Sequence, residues 1–220
     1  MNQCFLMLKK EWLNFANSDR GIFLVYLVFI AGWSVLRASM NSGGPEVTPI
    51  WSIVFSVFIA ANFSGTVFVS ERMSGSLEIL LTSGLSRSAI LYGKMLFVII
   101  MTLAIGMVWA LAAFILQTFI SPLRENLFQG DLLLIYASAT FLNAASSAYF
   151  SVWLPNPRFL YFINLLMIIL ISAVYLAIAA LRLPQPLSIM AGLLILLGIL
   201  FTLLAGRAFE SERIIKPIVL

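Results

Sequence analysis

Side chains able to do chemistry are few in this sequence, and most of those at membrane depth are neutral. Asn62, Ser64 and Thr66 form one group, Asn143, Ser146 and Ser147 a second, and Asn164 stands by itself. Histidine does not occur and the one cysteine is Cys4, so there is no Ser-His-Asp triad, no disulfide within the chain and no ordinary metal-ligand set. The phosphate-binding pattern G-x-x-x-x-G-K-[ST] is also missing. Gly93-Lys94 is followed by Met95, and Ser88 stands where its first glycine belongs. No enzymatic activity, ATP hydrolysis included, and no cofactor is expected of the chain. Two readings of the neutral polar groups stand side by side. They hydrogen-bond between helices that small residues such as Ala144 to Ala148 let approach closely, or Asn62, Asn143 and Ser146 line a path for a cargo.

The elements that would hold these residues follow from hydropathy. Of 220 residues 62% are hydrophobic and 10% charged, with a mean hydropathy of +1.05. Soluble domains are roughly half apolar and a quarter charged, so the solvent for this chain is lipid. A charge near the bilayer centre costs several kcal/mol, so charged residues mark the span limits. The spacing predicts an all-α polytopic protein forming a single domain over residues 1–220, with six transmembrane helices at 21–36, 49–70, 95–118, 132–154, 159–181 and 187–206. The first of these is short. All eight prolines fall in connections or at span ends, where a missing amide does no harm.

Orientation follows from the basic residues. With the N-terminus inside, the cytoplasmic side holds Lys9, Lys10, Arg20, Arg72, Arg87, Lys94, Arg158, Arg207, Arg213 and Lys216, against Arg37, Arg124 and Arg182 outside. The expectation is a multi-pass protein of the cell (cytoplasmic) membrane with both termini in the cytoplasm. The scatter of these residues at span ends speaks for membrane anchoring and against nucleic acid. Residues 3–18 are too polar to cross. On a helical wheel Phe5, Leu8, Trp12, Phe15 and Ala16 share one face, and Lys10, Glu11, Asn14, Asn17 and Ser18 the other, which predicts an amphipathic helix lying in the inner interface. The basic start followed by an apolar stretch is expected to be retained, because no small-x-small cleavage site follows it.

The largest polar stretch, ERMSGSLEILLTSGLSRSAILYGK, joins the second and third spans, so that residues 71–93 are cytoplasmic. Gly75 can cap a short helix with Glu78 three residues on, and Leu77, Leu80 and Leu81 give that helix an apolar face. Ser83-Gly84 breaks it, and Ser86 caps the helix that runs through Lys94 into the third span. The product is a short stiff helix whose leucines seek a partner or, on the plainer reading, dip into lipid.

This stretch resembles the segment E…G-[ST]-L-E-x-L-L…[TS]-P-L-[ST]-R…K of ABC-2-type permeases, the membrane subunits of one class of ABC exporters. The matching residues are Glu71, Gly75, Ser76, Leu77, Glu78, Leu80, Leu81, Ser83, Leu85, Ser86, Arg87 and Lys94, and the tail motif A-x-R-x-F is matched by Ala205, Arg207 and Phe209. The resemblance implies that residues 71–93 are a coupling segment docking on a separate cytoplasmic ABC ATPase subunit. Leu77, Leu80 and Leu81 would be the docking side chains, with Gly75 capping the helix, and Glu71, Glu78 and Arg87 the orienting charges. It also implies a dimer, with a second copy or a related permease, that moves an amphiphilic or apolar cargo outward. The chain departs from the pattern at Gly84, where the family has proline, and in the short connection LRLPQP before the last span. Two other readings are a stand-alone carrier or channel, for which no intramembrane acid offers a coupling device, and a membrane scaffold or immunity protein that does not transport.

Overall fold

A segment surrounded by hydrocarbon must satisfy its backbone polar groups internally, which for a single chain of this composition means helix. The computed structural model of the chain describes residues 3–17, 20–39, 47–69, 71, 80, 82, 84–120, 130–154, 158–182 and 184–210. Among them every regular element is helical: α1 (Gln3–Ala16), α2 (Arg20–Ser39), α3 (Val47–Ser64), α4 (Arg87–Ile120), α5 (Gly130–Trp153), α6 (Arg158–Ala180) and α7 (Pro186–Glu210). A π-helical turn, Gly65–Val69, continues α3. Among the described residues five helical stretches are long and apolar enough to cross a membrane: Pro49–Val69, Arg87–Leu116, Gly130–Trp153, Phe159–Ala180 and Pro186–Phe209. Among the described residues α2 contributes an apolar helical stretch of shorter extent, Val25–Leu36. The protein is thus an all-α, multi-pass membrane protein.

The interior is organised around α3 and α5, whose side chains are mostly buried, while α6 and α7 turn much of their surface outward. The sequence of α5 explains its position. Ala139, Ala144, Ala145, Ser146, Ser147 and Ala148 are small and buried, so neighbouring backbones come close. Its most extensive partner is α7, where Gly198 leaves room for the Phe141 ring; a Cβ there would lie 2.5 Å from the ring edge. On α4, Gly106 does the same for Tyr136 of α5. Two apolar clusters result. The larger joins α1, α2, α3, α4, α5 and α7 around Phe55, Phe63 and Met7. The smaller seals α3 and α5 against α6 and α7 through residues such as Ile53, Leu142, Met167 and Leu194. Stacked rings fasten α2 and α4 to α3: Phe29 on Phe58 at 4.5 Å, Tyr26 on Phe63 at 5.3 Å and Phe55 on Trp109 at 4.6 Å.

The described prolines lie where a missing amide is tolerated: Pro49 in the first turn of α3, Pro184 in the α6–α7 connection and Pro186 at the start of α7. That connection turns tightly, with Arg182 and Gln185 in the left-handed region at φ 51° and 54°.

The first helix departs from the wheel reading. It runs beside the first turns of α4 and in the same direction, with Gln3 at Ser86, Met7 at Gly93 and Phe15 at Phe97. A Cβ on Gly93 would sit 2.7 Å from that of Met7 and 3.0 Å from the Cys4 carbonyl oxygen, so glycine permits this approach. The buried residues of α1 are Met7 and Glu11, whereas Phe5, Leu6, Trp12 and Leu13 remain exposed. Glu11, sorted by polarity onto the water-facing side, points into the protein. The reason is a tertiary partner that a wheel cannot contain.

Candidate functional site

Lysine and glutamate are seldom fully buried unless they are paired, and this protein buries three such residues at one place. Lys94, in the second turn of α4, is wholly inaccessible; Glu11 and Glu71 are nearly so. Glu71 sits just beyond the π turn that closes α3. Its carboxylate bridges two lysines: Oε2 accepts from Lys94 Nζ and Oε1 from Lys10 Nζ. Lys10 Nζ also lies 3.2 Å from Glu11 Oε1. Lys94 Nζ donates further to the Val67 carbonyl of the π turn at 2.6 Å and stands 5.7 Å from the centre of the Phe68 ring. An ammonium has three donors and no acceptor, so this set of a carboxylate, a carbonyl and a ring face is what a buried lysine requires.

The charges hold one another in place. Burial alone raises the Glu71 carboxyl, but Lys94 and the hydrogen bonds from both lysines outweigh it and keep Glu71 below its ordinary range. Burial likewise pulls Lys10 down, and its bond to Glu71 together with the charges of Glu11 and Glu71 leaves it above its ordinary value. Glu11 is raised, by burial first and then by the neighbouring Glu71 charge, against the opposing pull of Lys94 and Lys10. Breaking such a pair from one side leaves a stranded buried charge.

Three elements meet at this cluster: α1 through Lys10 and Glu11, the end of α3 through Glu71, and α4 through Lys94. Glu71 and Lys94 also stand at the two ends of the polar sequence 71–94, whose last part, 87–94, forms the first turns of α4. That stretch is therefore closed at its base by an ion pair. On its far side Gly84 has φ +80°, a conformation that proline, fixed near −65°, cannot take. The departure from the proline of the resembling family thus has a backbone reason. Ser86 caps α4: its Oγ accepts from the Ala89 amide at 3.3 Å and its carbonyl from the Ile90 amide at 3.1 Å, while its own amide donates to Gln3 Oε1 of α1 at 3.1 Å. Arg87, the first residue of α4, is half-buried, and Leu80 is half-buried against the larger apolar cluster. Gly75, Leu77, Glu78 and Leu81 lie outside the described residues.

The neutral polar residues of the spans fall into separate places. Asn143 is fully buried in α5, and its Nδ2 donates to Asn164 Oδ1 of α6 at 3.1 Å; Ser147 Oγ donates to the same oxygen at 3.3 Å. Ser146 bonds back to the Asn143 carbonyl at 3.1 Å. Asn62 is half-exposed on α3, with Nδ2 on the Phe58 carbonyl of its own helix at 2.9 Å. Asn143 and Ser147 therefore belong to an interhelical seam, whereas the Ser146 and Asn62 bonds stay within their own helices. A second seam, nearer the start of α5, links Ser56 Oγ of α3 to Thr140 Oγ1 at 2.9 Å and Tyr136 OH to the Thr102 carbonyl of α4 at 2.9 Å.

Sequence reasoning named Glu71 but missed its partners. By sequence, Lys10 and Glu11 fall on the polar face of an amphipathic helix, and Lys94 counts as a cytoplasmic basic residue and a position of the resembling motif. The one local signal was Gly93 beside Lys94, a glycine inside a helical pattern that marks close backbone approach. Among the described residues no group of three or more acids or cysteines converges as a metal site. No protein-family model matches the chain, and no curated protein matches it either.

Proposed function

We propose that this chain is the membrane-spanning permease subunit of an ABC-2-type exporter, driven by ATP hydrolysed on a separate cytoplasmic subunit. On this reading α2 is the first of six spans, both termini face the cytoplasm, and a second permease copy completes the transport unit. Residues 71–93 receive the ATPase. The resemblance of that stretch to a coupling segment is the starting point. The observation that carries the reading is that Glu71 binds Lys94, so both ends of the stretch are fixed to one point where α1, α3 and α4 meet. A lever transmits force only if its base is rigid, and here displacement of the segment moves three helices together.

Lengths agree with this arrangement. The 34 residues of α4 extend about 51 Å, roughly 20 Å more than the hydrocarbon core. The surplus is comparable to the stretch along which α1 lies, so the charged joint can sit at the cytoplasmic edge and not in lipid. A cargo that is amphiphilic or apolar suits the neutral interior, since the bonded polar atoms of the spans are amides and hydroxyls.

The test is purification of the tagged protein from its native membrane. A Walker-motif ATPase subunit is expected to be retained, and Leu77→Asp is expected to release it while leaving a folded permease. Recovery without any nucleotide-hydrolysing partner, or retention unaffected by Leu77→Asp together with Leu81→Asp, overturns the reading in favour of a stand-alone carrier or a scaffold.

A further inference from the structure

The four charges of this cluster, three of them buried and Lys10 at its edge, divide by element into two matched pairs. Lys10 and Glu11 are neighbours on α1, 3.2 Å apart, and together carry no net charge. Glu71 and Lys94 join the end of α3 to α4, bonded to each other, and they too sum to zero. Lys94 retains two further partners that do not belong to α1, the Val67 carbonyl at 2.6 Å and the Phe68 ring. Lys10, by contrast, keeps about a third of its side chain accessible, 34%, at the edge of the cluster. Withdrawal of α1 therefore takes a neutral pair into water and leaves a neutral pair in place. Neither side is left with an unmatched buried charge, which is the event that makes disruption of buried ion pairs costly.

From this division we infer that α1 is a detachable strut: its Lys10–Glu11 pair docks on the Glu71–Lys94 pair as one neutral unit on another, so that α1 can leave and return while the helical bundle stays folded. The remaining attachments suit this role. Gln3 holds the Ser86 amide, Met7 is buried on Gly93 in the larger apolar cluster with Leu8 packed against it, and Phe15 touches Phe63 and Phe97 edge-on at 5.6 and 6.3 Å. These are single side chains on a helix that keeps Phe5, Trp12 and Leu13 on its outer face. In the docked state α1 clamps the base of the 71–94 stretch through Lys10; in the released state Glu71 and Lys94 still close that base. The strut regulates how stiffly the stretch is coupled to the bundle, and its existence does not depend on the exporter reading.

Hydrogen exchange of the purified full chain in lipid nanodiscs, without any partner, tests this. Lys10→Glu combined with Glu11→Lys keeps α1 neutral but sets acid against Glu71 and base toward Lys94. Amides of residues 3–16 are expected to exchange at least tenfold faster, with those of α3 and α5 unchanged. The milder Lys10→Gln with Glu11→Gln is expected to give a smaller increase confined to the same residues. Unchanged α1 exchange in the inverted variant overturns the inference, as does accelerated exchange in α5 alongside α1. Loss of folded protein in both variants also overturns it, because α1 would then be part of the bundle's fold. Failure of the ATPase co-purification touches none of these outcomes.

Discussion

Two polar regions inside this protein hold helices together by different means. At the base of the 71–94 stretch the contacts are charged, and residues as far apart in sequence as Lys10 and Glu71 supply them. Along α5 the contacts are neutral: Asn143 and Ser147 on Asn164, Ser56 on Thr140, Tyr136 on the Thr102 carbonyl. The neutral seams bind the inner helices to one another with bonds that can be lost singly. In the charged joint each residue compensates another, so a single truncation leaves a buried ion without its counterpart. Fixed packing is therefore expected of the seams. The joint suits a place that must be rigid when assembled and separable along a definite line.

The sharpest way to break this contrast is at Glu71, the residue both lysines share. Glu71→Gln keeps size and shape but removes the carboxylate charge bonded to the fully buried Lys94, and leaves it a carbonyl, a ring face and the unbonded charge of Glu11. The expected loss is about 3–5 kcal/mol of unfolding free energy, read by chemical or thermal unfolding of the purified protein in detergent. If the loss is under about 1 kcal/mol, the ions do not act as a coupled set and the joint resembles the seams.

How far the sequence foretells each region follows from the range of the interactions. The Ser86 cap and the Gly84 turn were legible because capping and left-handed backbone are decided within three or four residues. The stretches that become α3 to α7 were legible because hydrocarbon excludes charge and proline from mid-span. The inward turn of Glu11 was not. Polarity assigned it to water, and only the alignment of α1 with α4, set by Met7 meeting Gly93, gives it Lys94 as a neighbour. The same limit applies to Asn62, Asn143 and Ser146. Their type marks them as polar in lipid, but whether they bond within a helix or between helices depends on rotations that hydropathy does not fix.

The neutral seam supplies the second comparison. Asn164 receives two hydrogen bonds from α5, so Asn164→Ala removes both but strands no charge. Interhelical hydrogen bonds of this kind contribute about 0.6 kcal/mol each on average, with a ceiling near 1.7. A loss of about 1 kcal/mol is expected in the unfolding assay, with α1 exchange unchanged. A loss equal to that of Glu71→Gln would erase the distinction between the two regions.

The smallest effect, and the most discriminating, lies in the pH dependence of α1 docking. Glu71 is held below its ordinary value of 4.5, so its contribution is complete above that value and is lost as pH falls through the depressed one. Lys10 is held above 10.5, so its contribution is complete below 10.5 and is lost as pH rises through the raised value. Glu11 runs the opposite way to Glu71. Its carboxyl is raised above 4.5, mainly by burial, so the folded protein holds that proton more tightly than the unfolded chain. Stability from Glu11 is present below 4.5 and falls as pH rises through the raised value. Docking, followed by exchange of residues 3–16, should persist from below pH 4.5 to above 10.5, with one step down as pH rises through the raised Glu11 value. Glu11→Gln imitates the protonated side chain and should remove that step without moving the outer limits. If the step survives in Glu11→Gln, the titrating carboxyl is not Glu11, and Lys10 and Glu11 do not behave as the matched pair on which the contrast with the seams depends.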